Sequence, residues 1–479
     1  MIFVFLLFFF LSNPNALGQD VKRPNVAGLF YPKERKALEE MIENLLMQAG
    51  NKKTKGKIIG LISPHAGYEY SGNVAAYGFT EIRGLPYKTV FIFGPSHHFP
   101  LKGASIIPSG FFETPLGRVE IDVQFAKRIM ERCKFVKHIP LAFEKEHSLE
   151  VQIPFLQRTL KDFRIVPIVM GDMTLEEHML IASVLDDIYE KNEGQVLSIF
   201  STDLSHFHSC ETARRIDTET VNLIEKSDIR ALIEGLRSGK VEMCGFHPVI
   251  LSLILSDMRI CEIVPLKYGT SADSGGPKDR VVGYLSASIT EPAEKPELTW
   301  SEKKLLLKIA RTTLTEYVKK RNRPKFNVKE ARLNEKEPVF VTLTKKGELR
   351  GCMGHTKPLF PLFQAVCEMT INASCYDPRF NPVLEEELKD IEIEISVLGP
   401  FKRLRNPEEI EIGKHGLCTV IGNHRGLLLP QVAQKFKWEK TEFLRQTCLK
   451  AGLEPNAYLH KEAKVYFFKA YSFSEGNLR

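Results

Sequence analysis

Short apolar runs in the first half of the chain each lead directly into a loop that contains histidine. The runs 58–63, 89–94 and 196–202 are continuously apolar or β-branched, which is typical of strands that are buried on both faces of a sheet. Amphipathic stretches such as 174–190 lie between these runs, together with a further apolar run at 165–170. This alternation of buried strands and helices predicts an α/β domain built on a central sheet.

The loops that follow these strands carry the polar side chains of a candidate site. His65 follows the first run, and the adjacent His97 and His98 follow the second. Asp203 and His206 follow the third. Ligands of open α/β sheets bind beyond the carboxyl ends of the strands, so we expect these side chains to converge. Imidazole and carboxylate groups in one pocket indicate a metal site, although a single histidine at a strand end is more often a structural hydrogen-bonding residue.

Neighbouring side chains of an extended segment point in opposite directions, so we expect only one of His97 and His98 to enter the site. His147 is a further candidate for the pocket. It shares a face with Glu150, at i and i+3, on a helix predicted to open at Glu144. The alternative is that this segment is the ordinary charged first turn of a helix.

Cys244 shortly precedes an apolar helix predicted from about Pro248 to Asp257. A thiol near the N-terminus of a helix is biased towards thiolate, which is the form that ligates metals. The alternative is that Cys244 is a small apolar residue of the core.

Composition limits the class of protein. The 479 residues are 43% hydrophobic and 26% charged, which indicates a globular protein of two or three domains and excludes collagen, a disulfide scaffold and a mostly disordered chain. The modest net charge of +7 gives no nucleic-acid signature. Nine cysteines without a CxxC pair indicate free thiols in a reducing compartment. Nucleotide binding is not predicted, because GxxxxGK(S/T) is absent and no GxGxxG follows a strand.

Residues 1–18 form a possible signal peptide or an N-terminal extension. Residues 2–11 are apolar, which is too short for a membrane span but suits a signal-peptide core, and Ala16-Leu17-Gly18 resembles a cleavage site. No lysine or arginine precedes the apolar core, and an oxidising compartment would not keep Cys244 reduced. We therefore expect a cytoplasmic protein, with export as the alternative.

The segment 291–298 is charged and contains proline, which is typical of a linker between domains. Thr299 and Glu302 then form a capping box that opens a helix. The second part also contains the alternating segment 390–398, a hairpin over 417–429 and a predicted helix over 431–451. We therefore predict one domain over 22–290 and a second, α+β domain over 299–475.

The first domain resembles the Memo family over a series of motifs that occur in the family's order. These motifs are PNVAGLFYP (24–32), PHAGY (64–68), GPSHH (94–98), EHSLE (146–150), STDLSH (201–206) and CGFHP (244–248). The resemblance implies a fold similar to class III extradiol dioxygenases. It also implies a metal site made of His65, His97 and Cys244, with Asp203 and His206 in the same pocket.

The implied ligand set differs from that of the extradiol enzymes, which use two histidines and one carboxylate. Cys244 stands where that carboxylate would be. A thiolate is softer and more easily oxidised, which favours iron(II) or copper as the metal. The difference puts ring cleavage in doubt and leaves metal-dependent redox chemistry open.

The second domain resembles the AMMECR1 domain. The motifs are LRGCMGH (349–355), DPRF (377–380), EISVL (394–398), KHGL (414–417) and GLLLPQVA (426–433). The two domains are neighbours in the prokaryotic grouping called AmmeMemoRadiSam, together with a radical SAM protein. The CxxxCxxC motif of radical SAM enzymes is absent from this chain, so the resemblance implies a separate radical SAM partner.

Cys352 is the candidate reactive residue of the second domain. Together with His355, Asp377 and His415 it could form a thiol nucleophile with a base, while the alternative is a small buried cysteine in a tight turn. Two functions stay open for the whole chain. One is a metal-dependent oxidoreductase that modifies a small molecule, a protein or RNA, and the other is a non-catalytic metal-binding adaptor with AMMECR1 as an interaction module.

Overall fold

The computed structural model describes residues 20–50, 54–422 and 424–477. The proposed signal segment 1–18 lies outside these residues. Contacts divide the chain into two compact units. Among the described residues, the first unit contains 20–50, 54, 58–255 and 263–289, and the second contains 55–57, 256–262, 290–422 and 424–477.

The first part of the chain is an α/β structure. Its helices are α1 Arg35–Ala49, α2 Tyr68–Ile82, α3 Val123–Arg132, α4 Ile153–Thr159, α5 Leu175–Lys191, α6 Cys210–Glu225, α7 Ile229–Arg237 and α8 Phe246–Arg259. Its strands are β1 Val21–Lys22, β2 Lys57–Ser63, β3 Thr89–Pro95, β4 Ala104–Ile106, β5 Phe111–Thr114, β6 Gly117–Glu120, β7 Val136–Lys137, β8 Arg164–Met170, β9 Val196–Ser201, β10 His206–His208, β11 Glu262–Thr270 and β12 Val281–Glu291.

A nine-stranded sheet forms the centre of this part, in the order β10-β12-β2-β9-β3-β8-β4-β7, with β11 beside β12. Strands β2, β9, β3 and β8 are parallel neighbours. Nearly every residue of these four strands is buried, as expected for apolar runs covered on both faces. The predicted α/β class is confirmed, and the parallel strands bring their carboxyl ends to one edge.

The second part is an α+β structure, as predicted. Its helices are α9 Trp300–Lys320, α10 Leu362–Cys375, α11 Pro430–Lys435 and α12 Lys440–Lys450. Its strands are β13 Val339–Lys345, β14 Glu348–His355, β15 Ile391–Leu398, β16 Lys402–Arg403, β17 His415–Ile421, β18 His424–Leu428 and β19 Lys464–Ser474. They form an antiparallel sheet in the order β14-β13-β15-β19-β17-β18, with β16 beside β19. The capping box of Thr299 and Glu302 opens α9 as expected.

Two predicted helices are wrong in their bounds. The helix predicted to open at Glu144 begins only at Ile153, because Pro154 fits the first turn of a helix but not its interior. Residues 431–451 form two helices, α11 and α12, because Lys437 adopts a left-handed conformation with φ of 55° between them. The rings of Phe436 and Trp438 stack at this break.

None of the helices within the described ranges is both long and apolar enough to cross a membrane.

The segment 291–298 gives a testable prediction about the domain boundary. Pro296 and Glu297 are exposed, while Leu298 is buried in the core of the second unit. We expect limited proteolysis of the full chain to cut first within 291–298, because few contacts cross an exposed domain boundary. Fragments 19–292 and 297–479 should each fold alone. A first cut elsewhere, or a fragment that is insoluble without the other, would show that the boundary is misplaced.

Candidate metal centre

His65 lies at the carboxyl end of β2, where its imidazole is almost fully buried. Its backbone N–H donates to Asp203 Oδ1 at 2.8 Å, and its Nδ1 lies 2.8 Å from Ser201 Oγ. The parallel register places Ser63 beside Ser201, so adjacent strands supply these contacts. Burial, together with the nearby His97 and His147, lowers the pKa of His65 well below its ordinary value. The imidazole is therefore neutral, which is the form that ligates a metal.

The hydrogen bonds of Ser201 determine the tautomer of His65. The Ser201 hydroxyl donates to the carbonyl oxygen of Ser148 at 2.8 Å and accepts from Gln152 Nε2 at 2.9 Å. Because its single proton is already used, the hydroxyl must accept from His65, so the His65 Nδ1 carries the proton. The lone pair of His65 Nε2 is consequently free to bind an ion.

His97 follows β3 and is oriented by Glu146. The two Glu146 oxygens accept from the His97 backbone N–H at 2.8 Å and from His97 Nδ1 at 3.0 Å. Burial acts to raise the pKa of Glu146, but the hydrogen bonds from His97 and Ser148 lower it well below its usual range. An ionised carboxylate only accepts, so His97 Nδ1 carries the proton and His97 Nε2 is free. A carboxylate behind a ligating imidazole is a recurrent arrangement at metal sites.

The Cys244 thiol completes this group. Its Sγ lies 3.1 Å from His65 Nε2, and one ligand atom from each of His65, His97 and Cys244 lies within 4.8 Å of the other two. The expected bias of Cys244 towards thiolate is absent, because burial raises the pKa of the thiol and the nearby Asp203 raises it further. Cys244 also precedes α8, which begins at Phe246, rather than lying within its first turn.

Asp203 connects two members of the group. Besides accepting from His65, it contacts Cys244 through the backbone, where the Cys244 N–H donates to the Asp203 carbonyl at 3.2 Å. The Asp203 N–H in turn points at Cys244 Sγ at 3.3 Å. Burial raises the pKa of Asp203 to about 7, although hydrogen bonds from the backbone of His65 and Ala66 act in the opposite direction.

The other sequence-predicted residues differ in their distance from the group. The ring of His147 stacks on His97 at 4.9 Å and lies 5.5 Å from His65, and His97, Glu146 and His147 form a second set of close ligand atoms. Burial lowers the pKa of His147 to about 4. His206 and His98 lie outside both sets. The Nδ1 of His206 donates to the Leu204 carbonyl, which leaves its Nε2 as an acceptor.

Within the part of the chain that the structure describes, no histidine forms a hydrogen bond with Cys352 in the second unit. Its thiol accepts from Thr342 Oγ1 at 3.3 Å, and its backbone N–H donates to Asp377 Oδ2 at 2.8 Å. Cys352 and His355 pair with β13 three positions apart, so their side chains leave opposite faces of β14. His415 is on β17, which three strands separate from β14. Of the three residues grouped with Cys352, the structure therefore brings only Asp377 to it.

The residues that sequence reasoning missed are those that fix the ligands. Glu146, Ser201 and Gln152 set the tautomers of the two imidazoles, yet Glu146 is 49 positions from His97 and Ser201 is 136 positions from His65. No spacing pattern reveals such partners. Glu146 and Ser201 lie within the EHSLE and STDLSH motifs of the Memo resemblance, but these motifs do not show which histidine each residue contacts.

An α/β domain in which two imidazoles and a thiol converge beyond the ends of parallel strands defines a candidate metalloprotein. Comparisons with known proteins assign the chain to a family. The family model described as "Memo-like protein" matches residues 22–288, and the AMMECR1 model matches residues 307–473. The chain therefore belongs to the Memo family and carries an AMMECR1 domain after its Memo domain.

Two individual relatives support the same assignment by their sequence identity. A MEMO1 family protein of Thermotoga neapolitana is 39% identical over 283 residues, which cover 56% of this chain and 100% of the relative. A MEMO1 family protein of Methanobrevibacter smithii is 35% identical over 282 residues, covering 56% of this chain and 98% of the relative. The crystal structure of an uncharacterized protein from Pyrococcus horikoshii shows 38% identity and a TM-score of 0.36, over 38% of this chain and 93% of that one.

Proposed function

We propose that the Memo domain binds one redox-active ion, iron or copper, through His65 Nε2, His97 Nε2 and the Cys244 thiolate. The observation that carries this proposal is the hydrogen bonding of both imidazoles through Nδ1, to Ser201 and to Glu146. This bonding leaves both Nε2 lone pairs free. His65 Nε2 lies 3.1 Å from Cys244 Sγ, and one ring nitrogen of His97 lies within 4.8 Å of the ligand atoms of His65 and Cys244. If the two histidines were buried for structural reasons alone, nothing would require both of them to leave Nε2 unprotonated. A shared ion requires this of both.

The donor set fits the proposed metals. Two imidazoles and a soft thiolate suit iron, copper or zinc and do not suit magnesium or calcium. Ligation requires Cys244 to lose its proton, and metal binding supplies the free energy for that loss despite the raised pKa of the thiol. A bound iron or copper ion would supply one-electron redox chemistry in this pocket.

The chain's own residues orient the ligands and leave groups for a substrate. The Asp203 side chain accepts from the backbone N–H of His65, and the Asp203 carbonyl accepts from the backbone N–H of Cys244. Asp203 therefore fixes the positions of two proposed ligands relative to each other. His206 keeps an Nε2 acceptor, and His147 presents its ring beside His97. These groups can accept hydrogen bonds from a substrate without serving as ligands.

We further propose that this chemistry is an oxidative modification, carried out with a separate radical SAM protein of the AmmeMemoRadiSam grouping. The presence of a Memo domain and an AMMECR1 domain in one chain supports a shared pathway. The substrate would be a small molecule, a protein or RNA. We place the protein in the cytoplasm, because all nine cysteines are free thiols, as a reducing compartment requires.

A second candidate function is a metal-binding adaptor without turnover. The absence of a histidine beside Cys352 in the described structure favours an interaction role for the AMMECR1 domain over catalysis. In that case the Memo domain would hold or deliver its ion.

Anaerobic purification of the full chain followed by elemental analysis separates the two functions. We expect about one iron or copper ion per chain, because the three donors converge on a single position. We also expect the absorption spectrum to change reversibly on one-electron reduction and reoxidation. A protein that holds only zinc, or whose spectrum does not respond, would contradict the redox function and favour the adaptor.

A further inference from the structure

Phe207 occupies a position that ordinarily requires glycine. It is the extra residue of a β-bulge, because His206 and His208 pair with the adjacent residues Val282 and Val281 of β12. Its φ is 63°, in the left-handed region that bulky side chains rarely adopt. Bulges of this kind usually place glycine at the left-handed residue.

The Phe207 side chain does not contribute to a core that would justify this strain, since it is 60% exposed. Strained residues persist where the surrounding structure holds them, and they concentrate at binding and catalytic sites. Bulges likewise occur beside active sites, where they redirect a side chain. The exposed part of the ring is therefore available for a contact outside this chain.

Arg280 covers the exposed ring. Its guanidinium carbon lies 4.4 Å from the centroid of the Phe207 ring. Within the described residues, no carboxylate forms an ion pair with this exposed arginine. A guanidinium that stacks on a ring keeps its edge N–H groups available, and these groups match the two oxygens of a planar carboxylate.

The bulge is tied to the metal centre on both sides. The ring of His206, which precedes Phe207, lies 5.6 Å from the Phe207 ring, and His206 Nδ1 donates to the carbonyl of Leu204, the residue after Asp203. The Nε2 of His208, which follows Phe207, lies 2.9 and 3.0 Å from the two oxygens of Glu242, two residues before Cys244. Phe207 thus lies between His206 and His208, which both contact segments next to the candidate metal centre.

We propose that Phe207 and Arg280 form a subsite for an aromatic carboxylate beside the metal centre. The ring of the ligand packs against the part of Phe207 that Arg280 leaves exposed, and its carboxylate binds the edge of the Arg280 guanidinium. This inference names the substrate class for the proposed redox site and rests on that proposal for its chemistry. Binding at the subsite itself does not require the metal.

Isothermal titration of the full chain with benzoate tests the subsite, with benzamide as the uncharged probe of the same shape. Titrations use metal-free and zinc-loaded protein, so that subsite binding and metal binding are measured separately. The variants are Arg280→Gln, Phe207→Gly and Phe207→Tyr. Arg230→Gln, at an exposed arginine of α7, is the matched control for loss of one positive charge.

We expect benzoate to bind more tightly than benzamide, and Arg280→Gln to weaken benzoate binding by about tenfold through the loss of a charge-assisted pair. Phe207→Tyr and Arg230→Gln should bind benzoate as the parent does. Phe207→Gly should weaken binding while its melting temperature stays equal or rises, because glycine relieves the left-handed strain.

Equal affinities for benzoate and benzamide, or unchanged benzoate binding in Arg280→Gln, would overturn the subsite. A marked fall in the melting temperature of Phe207→Gly would also overturn it, since it would show that the pair stabilises the fold. If no metal binds while Arg280-dependent benzoate binding persists, the subsite stands and the proposed redox function fails.

Discussion

Replacing any one of His65, His97 and Cys244 by alanine is expected to abolish stoichiometric iron or copper binding while the fold is retained. In the proposed site each residue supplies one of three bonds to the same ion, so two ligands would remain in every single variant. The losses should be far from additive, because each single change already removes the site. Elemental analysis after anaerobic purification measures the metal, and circular dichroism is the control for folding.

Three neighbouring positions serve as matched controls. His98→Ala should bind metal nearly normally, because His98 lies outside both sets of close ligand atoms. Asp203→Ala and His206→Ala should weaken binding or alter reactivity without eliminating the metal, as residues that contact ligands do. Full metal occupancy in Cys244→Ala, or loss in His98→Ala with retention in His97→Ala, would show that the ligand assignment is wrong.

Glu146→Gln is expected to lower the affinity for the metal by about 10- to 100-fold, the usual effect of removing the partner of a ligating histidine. The amide would turn its NH2 group either towards His97 Nδ1–H or towards the His97 backbone N–H, which donate to Oε1 and Oε2 of Glu146 in the parent chain. In both orientations two donors would face each other, so His97 would lose one of the two contacts that fix it. Titration against a competing chelator measures the affinity.

Glu150→Gln is the matched control for this prediction. Glu150 is also a fully buried carboxylate of the same segment, but it accepts from the backbone of Asn25 and Val26 and from the Tyr31 hydroxyl rather than from a ligand. We expect Glu150→Gln to lower the melting temperature and to leave metal affinity close to that of the parent chain. Equal losses of affinity in both variants, or none in Glu146→Gln, would refute a specific role for Glu146.

The parts of the fold that could be predicted from sequence are those with a local physical cause. The apolar runs that became β2, β3, β8 and β9 are continuous because both faces of each strand are buried. Thr299 opens α9 because its hydroxyl and Glu302 satisfy backbone groups at the first turn. The His-bearing loops meet because parallel strands end at one edge.

The parts that could not be predicted depend on partners that are distant in the sequence, or on local effects that oppose each other. The proton on His97 is placed by Glu146, and the proton on His65 by Ser201, which itself depends on Ser148 and Gln152. At Cys244, the effect of burial exceeds that of the nearby helix N-terminus.

The predicted bounds of two helices are wrong for similar reasons. The i, i+3 spacing of His147 and Glu150 predicts a helix that opens at Glu144, whereas Pro154 fits the first turn of a helix that begins at Ile153. No glycine or proline lies near the left-handed Lys437, so the sequence does not mark the break between α11 and α12.

X-ray absorption at the metal edge of the anaerobically purified full chain tests the central claim most directly, because it counts the atoms bound to the ion. The account predicts one sulfur and two imidazole nitrogens among the ligands, and loss of the sulfur in any Cys244→Ser protein that retains metal. A first coordination shell of nitrogen and oxygen atoms alone in the parent chain would contradict the assignment of His65, His97 and Cys244 to one ion.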